Sequence, residues 1–171
     1  MKKRKGFSLI ELLIVVAIIL IIAAIAIPNL LRSRIAANEA SCTSSLRVLN
    51  TAEVTYASSY NSGFSSDLAA LGPPAAGGTP TFTNSDVVDM VLAGGAPGAA
   101  PPPTAGAKTF TKSGYQFTYN PSGTFPAIAT YTIGAGPVAP NSSGIRYFFT
   151  NESGVIRANG TTTAAGTDPP I

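Results

Sequence analysis

The sequence predicts an α+β fold in which one long N-terminal helix packs on a small antiparallel sheet of about four strands. An unbroken apolar run covers Leu12–Ile27. It is longer than the purely apolar stretch of most helices in soluble proteins. Apolar residues then recur at helical spacing as far as Tyr60, and short alternating segments appear only after Lys112. These patterns predict a helix with a membrane half and an amphipathic half, followed by the sheet.

The apolar run has the composition of a membrane-spanning helix. Counted from Phe7, it approaches the roughly 20 residues that a bilayer requires. Basic residues at positions 2–5 precede it, and such residues stay cytoplasmic, so the C-terminal part is expected outside the cytoplasm. The alternative is a secretory signal cut after Ala24-Ile25-Ala26, which would release a protein beginning at Ile27. The apolar run exceeds the usual signal core of about 7–15 residues, which favours the membrane helix.

Beyond Pro28 the predicted helix changes from apolar on all sides to apolar on one face. Pro28 lacks a backbone donor, which predicts a kink at the membrane boundary. Cys42 lies on the apolar face and is expected to be a small buried side chain, with an intermolecular disulfide or reactive thiol as the alternative. The apolar stripe consists of Leu31, Ile35, Cys42, Leu46, Leu49, Tyr56 and Tyr60, and the polar faces carry Arg32, Arg34, Asn38, Ser41, Arg47 and Glu53.

A loop-rich connection is predicted over residues 61–112. It includes a helical turn at 66–72 and a short helix over 85–92, with Ser85 as its N-cap. Residues 93–108 are rich in Ala, Gly and Pro, a composition typical of an exposed, mobile loop.

The sheet is predicted over residues 113–158 as an antiparallel meander, because short turns separate segments of alternating polarity. The tail at 159–171 is expected to be loose. With a single cysteine the chain cannot form an internal disulfide, so something else must fasten its C-terminal end. The predicted strands cover 115–119, 127–134, 145–150 and 155–158.

Composition argues against catalysis, metal binding and nucleic-acid binding. The formal net charge is +3, but four of the eleven basic residues lie at positions 2–5, which leaves seven basic against eight acidic side chains, a sum of −1. The chain has no histidine, the commonest general base and metal ligand. Asp86 and Asp89 are read as charges near a helix N-terminus, and Glu152 and Asp168 are too isolated to suggest a metal site. We therefore expect no enzyme activity, no catalytic residue, no metal and no cofactor.

Glu11 is the most informative residue of the chain. It places a carboxylate near the start of the apolar segment. Even on insertion scales, a charged side chain at the bilayer centre costs about 2.5–3.5 kcal/mol. An acid in such a place is expected to have a function and a positively charged partner.

The string Lys5-Gly6-Phe7-Ser8-Leu9-Ile10-Glu11, with the apolar residues after it, resembles the class III signal of type IV pilins and pseudopilins. The resemblance implies that a prepilin peptidase removes residues 1–6 by cutting between Gly6 and Phe7, and then N-methylates Phe7. It implies a transmembrane and assembly helix at 7–28 and a pilin-like head at 29–171. Glu11 would pair with the terminal amine of a neighbouring subunit, and Pro28 would mark where the helix bends or melts during assembly.

The resemblance predicts a structural subunit of a type IV filament, most simply a pilus pilin. A pseudopilin of a type II secretion system is the alternative, and a membrane-anchored or secreted binding module is the alternative of a different class. The implied partners are prepilin peptidase, identical or related subunits, the inner membrane, and an assembly platform with its ATPase. The expected location is the inner membrane, with a single pass and the head outside the cytoplasm, and then a periplasmic or extracellular filament.

Overall fold

The computed structural model describes residues 7–74, 78–94, 108–124, 127–160 and 163–171. The chain divides into two compact units, Met1–Arg34 and Ile35–Ile171. Helix α1 covers Leu9–Tyr60, so it contributes to both units. The other elements are a short 3₁₀ helix at Leu68–Leu71 and strands β1 (Lys108–Lys112), β2 (Tyr115–Thr124), β3 (Ala127–Pro137), β4 (Tyr147–Asn151) and β5 (Arg157–Asn159).

The five strands form one antiparallel sheet in the order β1-β2-β3-β4-β5. Each strand pairs with the next in sequence, as Phe110 with Phe117 and Ala135 with Phe148 illustrate. The predicted α+β class and the meander are confirmed, but the sheet has one strand more than the four expected.

Strand β1 is the additional strand and lies inside the connection predicted over 61–112. It joins β2 through Ser113 and Gly114, whose φ values of 50° and 74° make a two-residue hairpin loop with both residues left-handed. A Cβ on Gly114 would lie 2.9 Å from the Cβ of Ser143, so a close contact also favours glycine there. Phe110 anchors the strand, because its ring stacks on Phe117 with centroids 4.6 Å apart.

The amphipathic half of α1 covers the inner face of the sheet. Cys42, Leu46, Leu49 and Tyr56 are at most 1% exposed, as the predicted stripe requires, and burial raises the pKa of the Cys42 thiol. Leu31 belongs to the first unit and is 48% exposed. The stripe thus serves as the head's core only after Ile35. The facing side chains of the sheet are fully or almost fully buried and mostly aromatic: Tyr115, Phe117, Tyr119, Tyr131, Ile133 and Phe148.

The helix predicted over 85–92 is wrong, whereas the turn at 66–72 is a capped 3₁₀ helix. Asp67 caps that helix by accepting a hydrogen bond from the Ala69 N–H. The N–H groups of residues 85–88 donate to the carbonyls of Ala70, Leu71 and Gly72 at 2.8–3.0 Å, and only one turn forms after Asp89. Tertiary pairing with the 3₁₀ helix thus replaces the helix that local propensity favours. Of the predicted loop at 93–108, residues 95–107 lie outside the described residues.

The tail is not loose where it is described. Arg157 Nη1 donates to the Asp168 carbonyl at 2.7 Å, and the Asp168 carboxylate accepts from the Ala165 N–H at 2.6 Å and from Asn159 Nδ2 at 3.1 Å. Backbone bonds add Ala158 to Pro169 and Ile171 to Ile156. The composition of residues 159–171 predicted a loose tail, but over residues 163–171 these hydrogen bonds hold the tail against β5 and take the place of a disulfide.

Glu39 fixes α1 to the loop between β3 and β4. Its carboxylate is 10% exposed and accepts from the backbone N–H groups of Ile145 and Arg146 at 3.0 and 3.1 Å, and from Arg146 Nε at 2.7 Å. Burial raises the pKa of Glu39, but these hydrogen bonds and the Arg146 charge outweigh it, and the net pKa is lowered. Asn38 adds a bond from Nδ2 to the Ser143 carbonyl at 2.7 Å.

Asn50 joins α1 to two strands at once. Its Nδ2 donates to Thr150 Oγ1 at 2.8 Å and to the Gly154 carbonyl at 3.2 Å, and its Oδ1 accepts from the Tyr131 hydroxyl at 3.1 Å. A buried amide satisfied on both sides fixes the rotation of the helix against the sheet.

Glu53 was predicted on a polar face, but it is fully buried. Its carboxylate accepts from the Ser65 N–H at 2.9 Å and from Ser65 Oγ at 2.7 Å, and the Tyr119 hydroxyl also lies within hydrogen-bond distance of Ser65 Oγ. Burial raises the pKa of Glu53 to about 7, and the bonds from Ser65 offset it only in part. Glu53 thus tethers the chain after α1 to the helix itself.

We expect Asp168→Ala to lower stability by about 1–2 kcal/mol, because it removes two hydrogen bonds that hold the tail. Thermal unfolding of the full-length chain in detergent, followed by near-UV circular dichroism, measures the loss of stability. The signal reports on the head, because every tyrosine lies there. The matched control is Glu152→Ala, at an exposed carboxylate in the β4–β5 turn. Equal melting temperatures for the two variants would contradict the tail contacts.

Glu53 is expected to make the head less stable as the pH rises from about 4.5 to about 7. A pKa raised above its ordinary value of 4.5 means that the folded state holds the proton more tightly, so the stabilisation is complete below pH 4.5 and lost through pH 7. The loss is on the order of 3 kcal/mol. Urea unfolding followed by near-UV circular dichroism measures it.

The slope between pH 5 and 7 should disappear in Glu53→Gln and persist in Glu152→Gln. Glu39 does not contribute to the change in stability between pH 5 and 7. Its pKa is lowered in the folded state, so it removes stability only as the pH falls below its ordinary pKa of 4.5. A wild-type stability that stays level or rises from pH 5 to 7 would refute the assignment.

Candidate functional site

Glu11, the acid singled out from the sequence, caps the N-terminus of α1. Glu11 Oε2 accepts a hydrogen bond from the Ser8 N–H at 2.8 Å, and the Leu12 N–H donates to the Ser8 carbonyl at 3.2 Å. Ser8 therefore precedes the first helical residue, Leu9, and Glu11 reaches back to it as in a capping box. The signal was present in the sequence, because Ser-x-x-Glu before an apolar run is the signature of this cap.

Glu11 is exposed and lies in the first turn of the helix. The unpaired N–H groups at a helix N-terminus carry partial positive charge, which favours a carboxylate there. The same carboxylate remains accessible to a further positively charged group. Its position combines a local role in the cap with the capacity to form an ion pair outside the unit.

The helix around this acid presents an apolar surface that the described chain does not cover. None of the residues in its most apolar stretch is buried by the described chain. Phe7, Leu9 and Ile25 are 74%, 81% and 66% exposed. An apolar surface of this extent requires lipid or other protein around it. The helix is long and apolar enough to cross a membrane.

The predicted site residues are distributed along one segment. Gly6, and with it the predicted cleavage site between Gly6 and Phe7, lies outside the described residues. Pro28 lies within α1, which is continuous through it. At 1.5 Å per residue Glu11 and Pro28 are about 25 Å apart along the helix, so their side chains do not form one site.

The chemistry available here is that of association. Among the residues that the structure describes, no group of three or more His, Cys, Asp or Glu side chains could hold a metal ion. The first unit offers a carboxylate at the end of an apolar helix. That arrangement can bind an amine or another cation where water is excluded, and it can pack against apolar surfaces.

The chain matches the family model described as the prokaryotic N-terminal methylation motif over residues 1–27. It is 48% identical over 71 residues, 42% of its length, to the type IV wide pilus major component PilA4 of Thermus thermophilus. It is 44% identical over 54 residues, 32% of its length, to the type IV major pilin protein PilA of Myxococcus xanthus. The matches span 53% and 24% of those proteins, and no solved structure matches the chain.

The family match agrees with the geometry of the N-terminal segment. The motif covers the residues that contain Gly6, Phe7, the capped Glu11 and the exposed apolar helix. The chain carries the prokaryotic N-terminal methylation motif over residues 1–27, and part of its length is similar in sequence to two type IV major pilins.

Proposed function

We propose that the chain is a structural subunit of a type IV pilus. The observation that carries the proposal is an apolar helix without a covering partner, which begins with an exposed, capped carboxylate. The names of both relatives refer to a type IV pilus or pilin, which favours a pilus over a secretion pseudopilin and a structural role over catalysis.

We infer that residues 1–6 are removed between Gly6 and Phe7 and that Phe7 becomes the methylated N-terminus. The methylation motif at residues 1–27 supports this processing. Prepilin peptidase is the processing enzyme, and an assembly platform with its ATPase then draws the subunit from the inner membrane into a filament. The head lies outside the cytoplasm, because the basic residues 2–5 remain inside.

Assembly follows from the physics of the exposed helix. Leaving the bilayer requires its apolar side chains to pack against those of other subunits. Glu11 then needs a cation, and the terminal amine of a neighbouring subunit supplies one at the same depth. A contact between different surfaces of identical subunits does not close, so it generates a helical filament.

The cap offers a test that separates the charge of Glu11 from its local role. Glutamine also serves in a capping box, so Glu11→Gln retains the cap and loses the charge, whereas Glu11→Ala loses both. If the carboxylate pairs with an amine, either variant leaves that cation buried without its partner, at a cost of about 3–5 kcal/mol. Both variants should reach the membrane and yield few or no filaments.

Electron microscopy of sheared filaments, beside an immunoblot of membranes, measures the two outcomes. Filaments at wild-type numbers from Glu11→Gln but not from Glu11→Ala would assign Glu11 to the cap alone. Wild-type numbers from both would refute the pairing. A substitution at Arg47, an exposed residue in the head half of α1, serves as the control for helix mutation in general.

Processing is tested separately at Gly6. A bulky side chain beside the scissile bond is expected to block the peptidase, so Gly6→Val should accumulate as full-length precursor. Intact mass of the wild-type protein should give an N-terminus at methylated Phe7. A wild-type chain that begins at Ile27 would instead establish an ordinary secretory signal.

A further inference from the structure

The face of the sheet opposite α1 contains a trough of about 410 Å³. Strand β3 is its floor. Ile133, Ala135 and Pro137 are buried on the inner face, so the alternating Gly134 and Gly136 lie on the outer one. The volume falls within the roughly 300–1,000 Å³ of small-molecule sites.

Nothing among the described residues requires glycine at position 134. Its φ lies outside the left-handed region, and a Cβ built on it would meet no atom of the described residues within 4 Å. Glycine in the middle of a strand is destabilising relative to alanine. A glycine in a strand interior often marks a bulge, a tight bend, or a site where a ligand or another backbone approaches closely.

The two walls of the trough differ in chemistry. On the β2 side, Thr118 is paired with Gly134 and Gln116 with Gly136. On the β4 side, Phe149 is paired with Gly134, and the ring of Tyr147 lies close enough that a Cβ on Gly136 would be 3.1 Å from it. Hydroxyl and amide groups thus face two aromatic rings across a floor of glycine.

The groups that line the trough specify the class of ligand. The wall residues carry amides, hydroxyls and aromatic rings, and Asn120, Thr132 and Thr163 extend the polar set without adding a charged side chain. A cation or anion would find no counter-charge among these lining residues. A sugar has hydroxyls that match amides and threonines, and an apolar C–H face that packs on an aromatic ring.

We propose that this trough binds a neutral oligosaccharide. One sugar ring lies over Gly134 and packs against Tyr147, and its hydroxyls bond with Gln116 and Thr118. This function goes beyond filament formation and does not depend on it, because every group involved belongs to one subunit.

The experiment uses the full-length chain in a detergent without a sugar headgroup, because a maltoside would compete for the site. Saturation-transfer NMR measures binding of cellotetraose, maltotetraose and the tetramer of N-acetylglucosamine, with tetragalacturonate as the anionic comparison. At least one neutral tetrasaccharide should bind saturably and more tightly than tetragalacturonate.

Gly134→Val fills the floor and Tyr147→Ala removes the stacking ring, so each should weaken that binding roughly tenfold or more. Gly134→Val is expected to fold, since a Cβ there meets open space; its near-UV spectrum and melting temperature check this. Thr130→Val, at an exposed position of β3 outside the trough, should bind as the wild type does.

Three results would each overturn the proposal: no saturable binding of any of the three neutral sugars, tighter binding of tetragalacturonate, or neutral binding that survives both trough variants. Tyr147→Ala keeps the test decisive if Gly134→Val does not fold.

Discussion

One helix has to satisfy two environments, and the rest of the structure depends on how its sequence divides them. From Leu12 to Ile27 its side chains are apolar on all sides and uncovered by the described chain. From Ile35 the apolar residues narrow to a stripe that the inner face of the sheet covers. The first half cannot remain in water, because that much apolar surface needs lipid or protein. The second half supplies the core on which the head folds.

Polar contacts decide how the helix is oriented against the sheet. A stripe of Cys42, Leu46 and Leu49 against aromatic rings is favourable but not directional. Glu39 and Asn50 add direction, since each bonds to groups on the sheet side of the interface. Hydrogen bonds from the Ile145 N–H and from Arg146 lower the pKa of Glu39, whereas Glu53 has only neutral donors and a raised pKa. The head therefore contains one carboxylate stabilised as an anion and one that burial favours as the neutral acid.

Periodicity predicted the features that hydrophobic burial alone decides. The stripe, the buried Cys42 and the meander follow from spacings of three, four and two, and the structure confirms them. The helix predicted over 85–92 and the loose tail predicted over 163–171 are wrong. The backbone hydrogen bonds of both segments go to partners that are distant in sequence or lie in irregular structure. The prediction that Glu53 lies on a polar face of α1 is wrong for a related reason. A charged side chain is ordinarily exposed, and the donors that permit its burial come from Ser65, twelve residues away.

The signals that mark the N-terminal segment are local in sequence, whereas those that fix the polar contacts of the head are not. Glu11 could be recognised from one charge in an apolar run, and its cap is written in the four residues from Ser8. The processing residues Gly6 and Phe7 remain predictions, since a cleavage site is read by an enzyme and not by the fold.

The outer face of the sheet departs from what stability alone would select. Gly136 has a structural reason, because the ring of Tyr147 occupies the space of a side chain. Gly134 has none within the described residues, and a β-branched residue there would favour the strand. Natural sequences are locally consistent where only folding matters, and they depart from that consistency at functional positions. A central strand that keeps open space between an amide wall and an aromatic wall is such a departure. The two proposals thus assign association to the N-terminal end of the helix and ligand binding to the outer face of the sheet.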